Sequence, residues 1–135
     1  MRMLLFLTFF LLPSPVLADG GLRKGLYVVV VEPKIPNVDL KGMEAEVQIC
    51  WRGPGNAKTP LGPLGPGPLK SCPSKARSTE GGMEVITTCP GPNKGHALSR
   101  YRVTADGFRG WVSMNMGGKN MTVTEKQTGT WVGRC

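Results

Sequence analysis

Three groups of residues in this chain of 135 have types and spacings that could do chemistry. The first is soft. Met114-Asn115-Met116 puts two thioethers on one side of an extended segment, and a tight turn after it would bring Met121 opposite Met116. Thioether sulfur suits Cu(I), so Met114, Met116 and Met121 form a candidate metal site; the same side chains also suit an irregular packed core. The second group is basic. Arg100, Arg102, Arg109 and Lys126 share one face of the same segments with Trp111, and together they offer a polyanion both charge and an aromatic platform. An indole packed on the alkyl stems of its cross-strand neighbours is the structural alternative.

The third group is the four cysteines, Cys50, Cys72, Cys89 and Cys135. They show no C-x-x-C spacing, and with a single histidine in the chain they do not make a zinc site. An even count points to two disulfides. Cys72 and Cys89 are placed symmetrically about Glu80-Gly81, so a hairpin turning there sets them opposite each other, which leaves Cys50 to pair with Cys135. Bridged cysteines supply no thiolate. The lone His96 has Ser99 as its nearest hydroxyl partner and follows a Gly-rich loop, and no pair of carboxylates is placed for acid and base work. The chain reads as a non-enzyme with no cofactor.

The elements that must position these residues are strands. From Ser99 to Val123 the polarity alternates around Asp106-Gly107 and Gly118-Lys119, the pattern of two consecutive β-hairpins. A two-residue turn at Asp106-Gly107 pairs Val103 with Gly110, Tyr101 with Val112 and Ser99 with Met114, and sets Trp111 between Arg102 and Lys126. A turn on Gly118-Lys119 pairs Met116 with Met121, Met114 with Val123 and Val112 with Glu125. Tyr101, Val103, Val112, Met114, Met116, Met121 and Val123 then share the packed face. Upstream, Gly25–Glu32 is an apolar, valine-rich run expected to be a strand covered on both faces. Met43–Trp51 alternates cleanly and is a half-buried strand. Residues 52–71 are crowded with proline and glycine, so neither helix nor strand persists there; the segment reads as a loop tethered between Cys50 and Cys72, with Leu61, Leu64 and Leu69 available to cover the Val28–Val31 strand.

The N-terminus carries Arg2, an apolar run from Met3 to Leu12 and Val16-Leu17-Ala18 before Asp19, the pattern of a cleaved signal peptide over residues 1–18. Residues 19–135 then form a single domain. No later stretch is long and apolar enough to span a bilayer as a helix. The whole chain carries a formal charge of +8, and a signal over residues 1–18 removes one cation of that, Arg2. A basic exported domain favours an anionic surface or polysaccharide as partner, with nucleic acid not expected. Asn120-Met121-Thr122 is a glycosylation triplet only in a host that glycosylates.

With these pieces in order, the sequence resembles the bacterial exported proteins of domain of unknown function 3617. The resemblance rests on Gly25-Leu26-Tyr27 at the first strand, on the order of Cys50, Cys72 and Cys89, on Asp106-Gly107-Phe108-x-Gly110 before a Met-bearing strand, and on the terminal Gly133-Arg134-Cys135. It implies a periplasmic or secreted β protein and brings no catalytic residues. The expected fold is all-β, an antiparallel up-and-down meander of about seven strands forming an open, disulfide-stapled barrel or half-barrel. The expected role is binding or structural and non-catalytic, with a small apolar ligand in a barrel-like cavity, or polyanion or Cu(I) binding, as alternatives.

Overall fold

The structure, a computed structural model, describes residues 21–55, 59–92, 94–117 and 121–135. The signal segment at 1–18, the turn on Gly118-Lys119 and Asn120 of the glycosylation triplet lie outside them. Seven antiparallel strands form one sheet: β1 (Gly25–Lys34), β2 (Ala45–Trp51), β3 (Ser74–Thr79), β4 (Gly82–Thr88), β5 (His96–Val103), β6 (Gly107–Asn115) and β7 (Thr122–Gly133). Their spatial order is β2-β1-β7-β6-β5-β4-β3. Chain neighbours are therefore sheet neighbours everywhere except between β2 and β3, and β7 returns to β1. This is the expected meander, a ring of strands left open at a single seam.

The described residues between Trp51 and β3 run as a strap across the inner face of the sheet, and the regular structure among them is a 3-10 turn at Pro68–Ser71. A buried segment without strand partners must still satisfy its peptide groups. Proline helps by removing donors: between Pro60 and Pro66 only Leu61, Gly62, Leu64 and Gly65 carry an N–H. Each of these has an acceptor. Leu61 N–H donates to Thr59 Oγ1 (3.3 Å), Gly62 N–H to the Tyr101 hydroxyl (3.0 Å), Leu64 N–H to Glu125 Oε2 (3.1 Å) and Gly65 N–H to Glu125 Oε1 (2.8 Å). Gln127 completes the latch, its amide Nε2 donating to Gly62 O at 2.8 Å and to Glu125 Oε2 at 2.9 Å while its Oε1 accepts from Tyr101 at 3.0 Å. A Cβ on Gly65 would stand 2.5 Å from Glu125 Oε1, so a side chain there would push the carboxylate out of the latch.

The latch divides the inner face into two apolar clusters. Leu61 and Leu64 join Tyr27, Val29, Val31, Ile49, Trp51, Val85 and Phe108 on one side, and Leu69 joins Ala97, Val112 and Met114 on the other. Two glycines in the sheet make room for rings. Gly110 lies opposite Tyr101 and Gly129 opposite Phe108, and a Cβ at either position would collide with the ring across from it. The Tyr101 and Phe108 rings meet edge to face at 5.3 Å.

The disulfides are those expected. Cys72–Cys89 joins strands in the Glu80-Gly81 hairpin register (Cα–Cα 4.9 Å), and Cys50–Cys135 (5.7 Å) ties β2 to the end of β7 across β1, whose Leu26 pairs with both Cys50 and Gly133. In the chain-entropy account these loops contribute about 3 and about 4.6 kcal/mol.

Three expectations are corrected. The β5–β6 hairpin turns over four residues, with Val103 paired to Phe108 and Tyr101 to Gly110, two positions from the expected register. An even shift keeps every side chain on its expected face, but it sets Arg100, not Arg102, opposite Trp111. Strand β1 is covered on one face only: Tyr27, Val29 and Val31 are buried by the strap, whereas Val28 and Val30 are half-buried on the other face. In β2 only Ile49 and Trp51 are buried, because the strap crosses that end of the edge strand.

Two measurements check the latch. Glu125→Ala leaves two strap N–H groups and the Gln127 amide short of a partner, at a cost of about 3 kcal/mol in urea unfolding with the disulfides intact, and it speeds tryptic cleavage after the exposed Lys70; a loss below about 1 kcal/mol would show the latch to be dispensable. Burial pushes the Tyr101 phenol above its ordinary range. The folded state then holds its proton while the unfolded chain releases it, so the contribution of Tyr101 to stability is constant below pH ~10 and falls by about 1.4 kcal/mol per pH unit above it until the folded phenol itself ionises. Tyrosinate absorbance from Tyr101 should appear together with alkaline unfolding rather than before it.

Candidate functional site

The outer face brings all five basic-patch residues together. Arg100, Arg102, Arg109, Trp111 and Lys126 line one depression of about 680 Å³, with Glu80 and Gly81 of the β3–β4 turn on its rim. They are placed by cross-strand rows. One row runs Arg77–Glu84–Arg100–Trp111–Lys126–Glu32 from β3 to β1. Within it Glu84 takes Arg77 at 2.6 Å and Arg100 at 3.5 Å, and Glu32 takes Lys126 at 3.3 Å. Trp111, 54% exposed, lies between two cations that already have carboxylates. The next row sets Arg102 directly opposite Arg109; both are exposed, and neither has an ion pair among the described residues.

The methionines do not gather as the sequence suggested. Met116 N–H donates to Met121 O, so the expected register holds, but the Met121 side chain is 47% exposed and does not line the cleft that the other two line. Met114 and Met116 instead line a cleft with Met43, from the segment before β2. That cleft, of about 240 Å³, lies between the strap (Pro63 to Lys70) and the β1, β6 and β7 ends of the inner face. Its walls include Val31, Ile35, Leu40, Leu69 and Val123, and Glu125 of the latch reaches its floor. The lining holds no imidazole or thiol, and Lys70 marks the mouth.

Sequence reasoning missed Met43, which it assigned to a strand core, and it gave Glu125 no role. A carboxylate on the packed face of an alternating strand was the signal for the latter. His96 and Ser99 cannot work together: three residues apart on one strand, they lie on opposite faces, His96 exposed and Ser99 buried. Among the described residues no cluster of three His, Cys, Asp or Glu side chains is placed to hold a metal ion.

The other end of the sheet is closed by the segment before β1. Trp51 Nε1 donates to Leu22 O (3.1 Å), Trp131 Nε1 to Lys24 O (3.2 Å) and the Tyr27 hydroxyl to Arg23 O, while the Arg23 guanidinium stacks 3.5 Å above the Trp131 ring. No helix among the described residues is long and apolar enough to cross a membrane. No family model, curated protein or solved structure matches this chain.

Proposed function

We propose that the protein is an exported, non-catalytic binding protein that holds a small apolar ligand in the cleft beneath the strap. One observation carries the reading: the strap fills most of the inner face but stops short of the β6–β7 end, leaving an almost wholly apolar cleft of about 240 Å³. A dry apolar void of about 150 Å³ is enough to take up benzene, so the cleft suits a ligand larger than one ring, such as a fused bicycle or a short acyl chain. Methionine suits such a wall because its unbranched thioether adapts to different shapes. Supporting export are the two disulfides, which persist in oxidising compartments, the signal-like N-terminus and the resemblance to exported proteins of domain of unknown function 3617. The same two bridges leave no free cysteine as a nucleophile among the described residues.

The test is uptake of N-phenyl-1-naphthylamine, which fluoresces when it leaves water. Saturable emission is expected from the oxidised protein, and Val123→Trp, which fills the cleft from β7, should weaken it at least tenfold while the thermal transition is retained. Uptake that is absent, or equal in Val123→Trp, would overturn the reading. Cu(I) competition with bicinchoninate on a Met43→Leu/Met114→Leu/Met116→Leu variant addresses the thioethers separately: no difference from the parent is expected.

A further inference from the structure

The outer face carries an arrangement that folding alone does not favour. Like charges directly opposite on adjacent strands are destabilising, and their Cβ atoms lie only about 4.5–5.5 Å apart. Arg102 and Arg109 are such a pair. In the neighbouring row each of the cations Arg77, Arg100 and Lys126 is given a glutamate. Arg102 and Arg109 have none among the described residues, and both open into the depression that Trp111 lines. Trp111 lies two residues from Arg109 on β6, about 7 Å along the strand. A pair of unpaired guanidiniums and an exposed indole are thus presented side by side on a rigid strand pair.

We propose that this depression binds an acidic polysaccharide: Arg102 and Arg109 together take a carboxylate or sulfate, and the indole of Trp111 receives the apolar face of the adjoining sugar ring. Two guanidinium forks match the planar or tetrahedral oxygens of such a group and relieve the repulsion that the empty pair carries. The choice among polyanions rests on the surroundings. Of the exposed large apolar side chains only Trp111 lines the depression, so there is no apolar cluster to enter a lipid surface. Two disulfides belong to oxidising compartments, where nucleic acid is not the usual polyanion. The site is separate from the apolar cleft, which opens on the inner face, so either can fail without the other.

The experiment is titration of the oxidised protein with a heparin oligosaccharide at several salt concentrations, with single-stranded DNA and phosphatidylglycerol vesicles run in parallel. Arg102→Ser/Arg109→Ser should weaken heparin binding at least tenfold and lower its salt slope by about 2. Lys34→Ser/Lys75→Ser, which removes the same charge elsewhere, should weaken it less than threefold. Trp111→Ala should weaken binding with the salt slope unchanged. Because the two arginines repel, their double variant should melt no lower than the parent. The proposal is overturned if heparin does not bind, if the arginine and lysine variants lose affinity equally, if the arginine variant melts several degrees lower, or if DNA or vesicles bind more tightly than heparin.

Discussion

The carboxylate of Glu125 is the group on which the rest of this structure depends. A Pro/Gly strap cannot pair with a strand, yet it is buried across the inner face, so its peptide groups must find partners in side chains. Glu125 takes two of the four N–H groups between Pro60 and Pro66, and Tyr101 takes a third. Gln127 binds the strap carbonyl at Gly62 and holds Glu125 and Tyr101 in relation to each other. These three side chains come from β5 and β7, two strands apart, so the latch also fixes the intervening β6. Without it, burial of Leu61, Leu64 and Leu69 would have to outweigh the strap's unsatisfied N–H groups, and a displaced strap would expose Tyr27, Val29 and Val31 to water.

The location of that latch decides where ligand space remains. Leu61 and Leu64 fill one side, Leu69 reaches the other, and between Leu69 and the β1 and β7 strands the strap turns outward through Pro66, Gly67 and Pro68. The cleft is therefore a consequence of strap geometry rather than of barrel diameter. On the reverse face the same β5–β6–β7 strands carry the guanidiniums and the indole. One trio of strands thus holds the buried latch on one side and the exposed basic row on the other, an outcome of side-chain alternation.

Much of this was legible before the structure, and the parts that were share a cause. Period-two alternation assigned the faces of β5, β6 and β7, and symmetric cysteine spacing about Glu80-Gly81 paired Cys72 with Cys89. Both signals are local. The β5–β6 register was misplaced because Asp106-Gly107 resembles a two-residue turn, whereas the observed loop spans Thr104 to Gly107, with Thr104 N–H bonded to Gly107 O. Alternation cannot detect that shift, since a slip of two preserves it. The strap was recognisable as irregular, and its leucines as cover, but nothing local in Pro60-Leu61-Gly62-Pro63 says that its N–H groups will meet a glutamate sixty residues away. Met43 was misassigned for a related reason: it continues the alternation of β2 but lies beyond the point where the strap provides cover.

The return of β7 to β1 has a consequence in time. Leu26 pairs with Gly133, so β1 is completed by a strand more than a hundred residues further along the chain. The β3–β4 hairpin and its short disulfide need only nearby residues, whereas β1 has only β2 beside it until β7 docks. Pairing β1 with β7 therefore closes a loop of more than a hundred residues, the longest-range strand contact in the sheet. The Cys50–Cys135 bridge sits at that junction, and oxidation there records that the last strand has found the first.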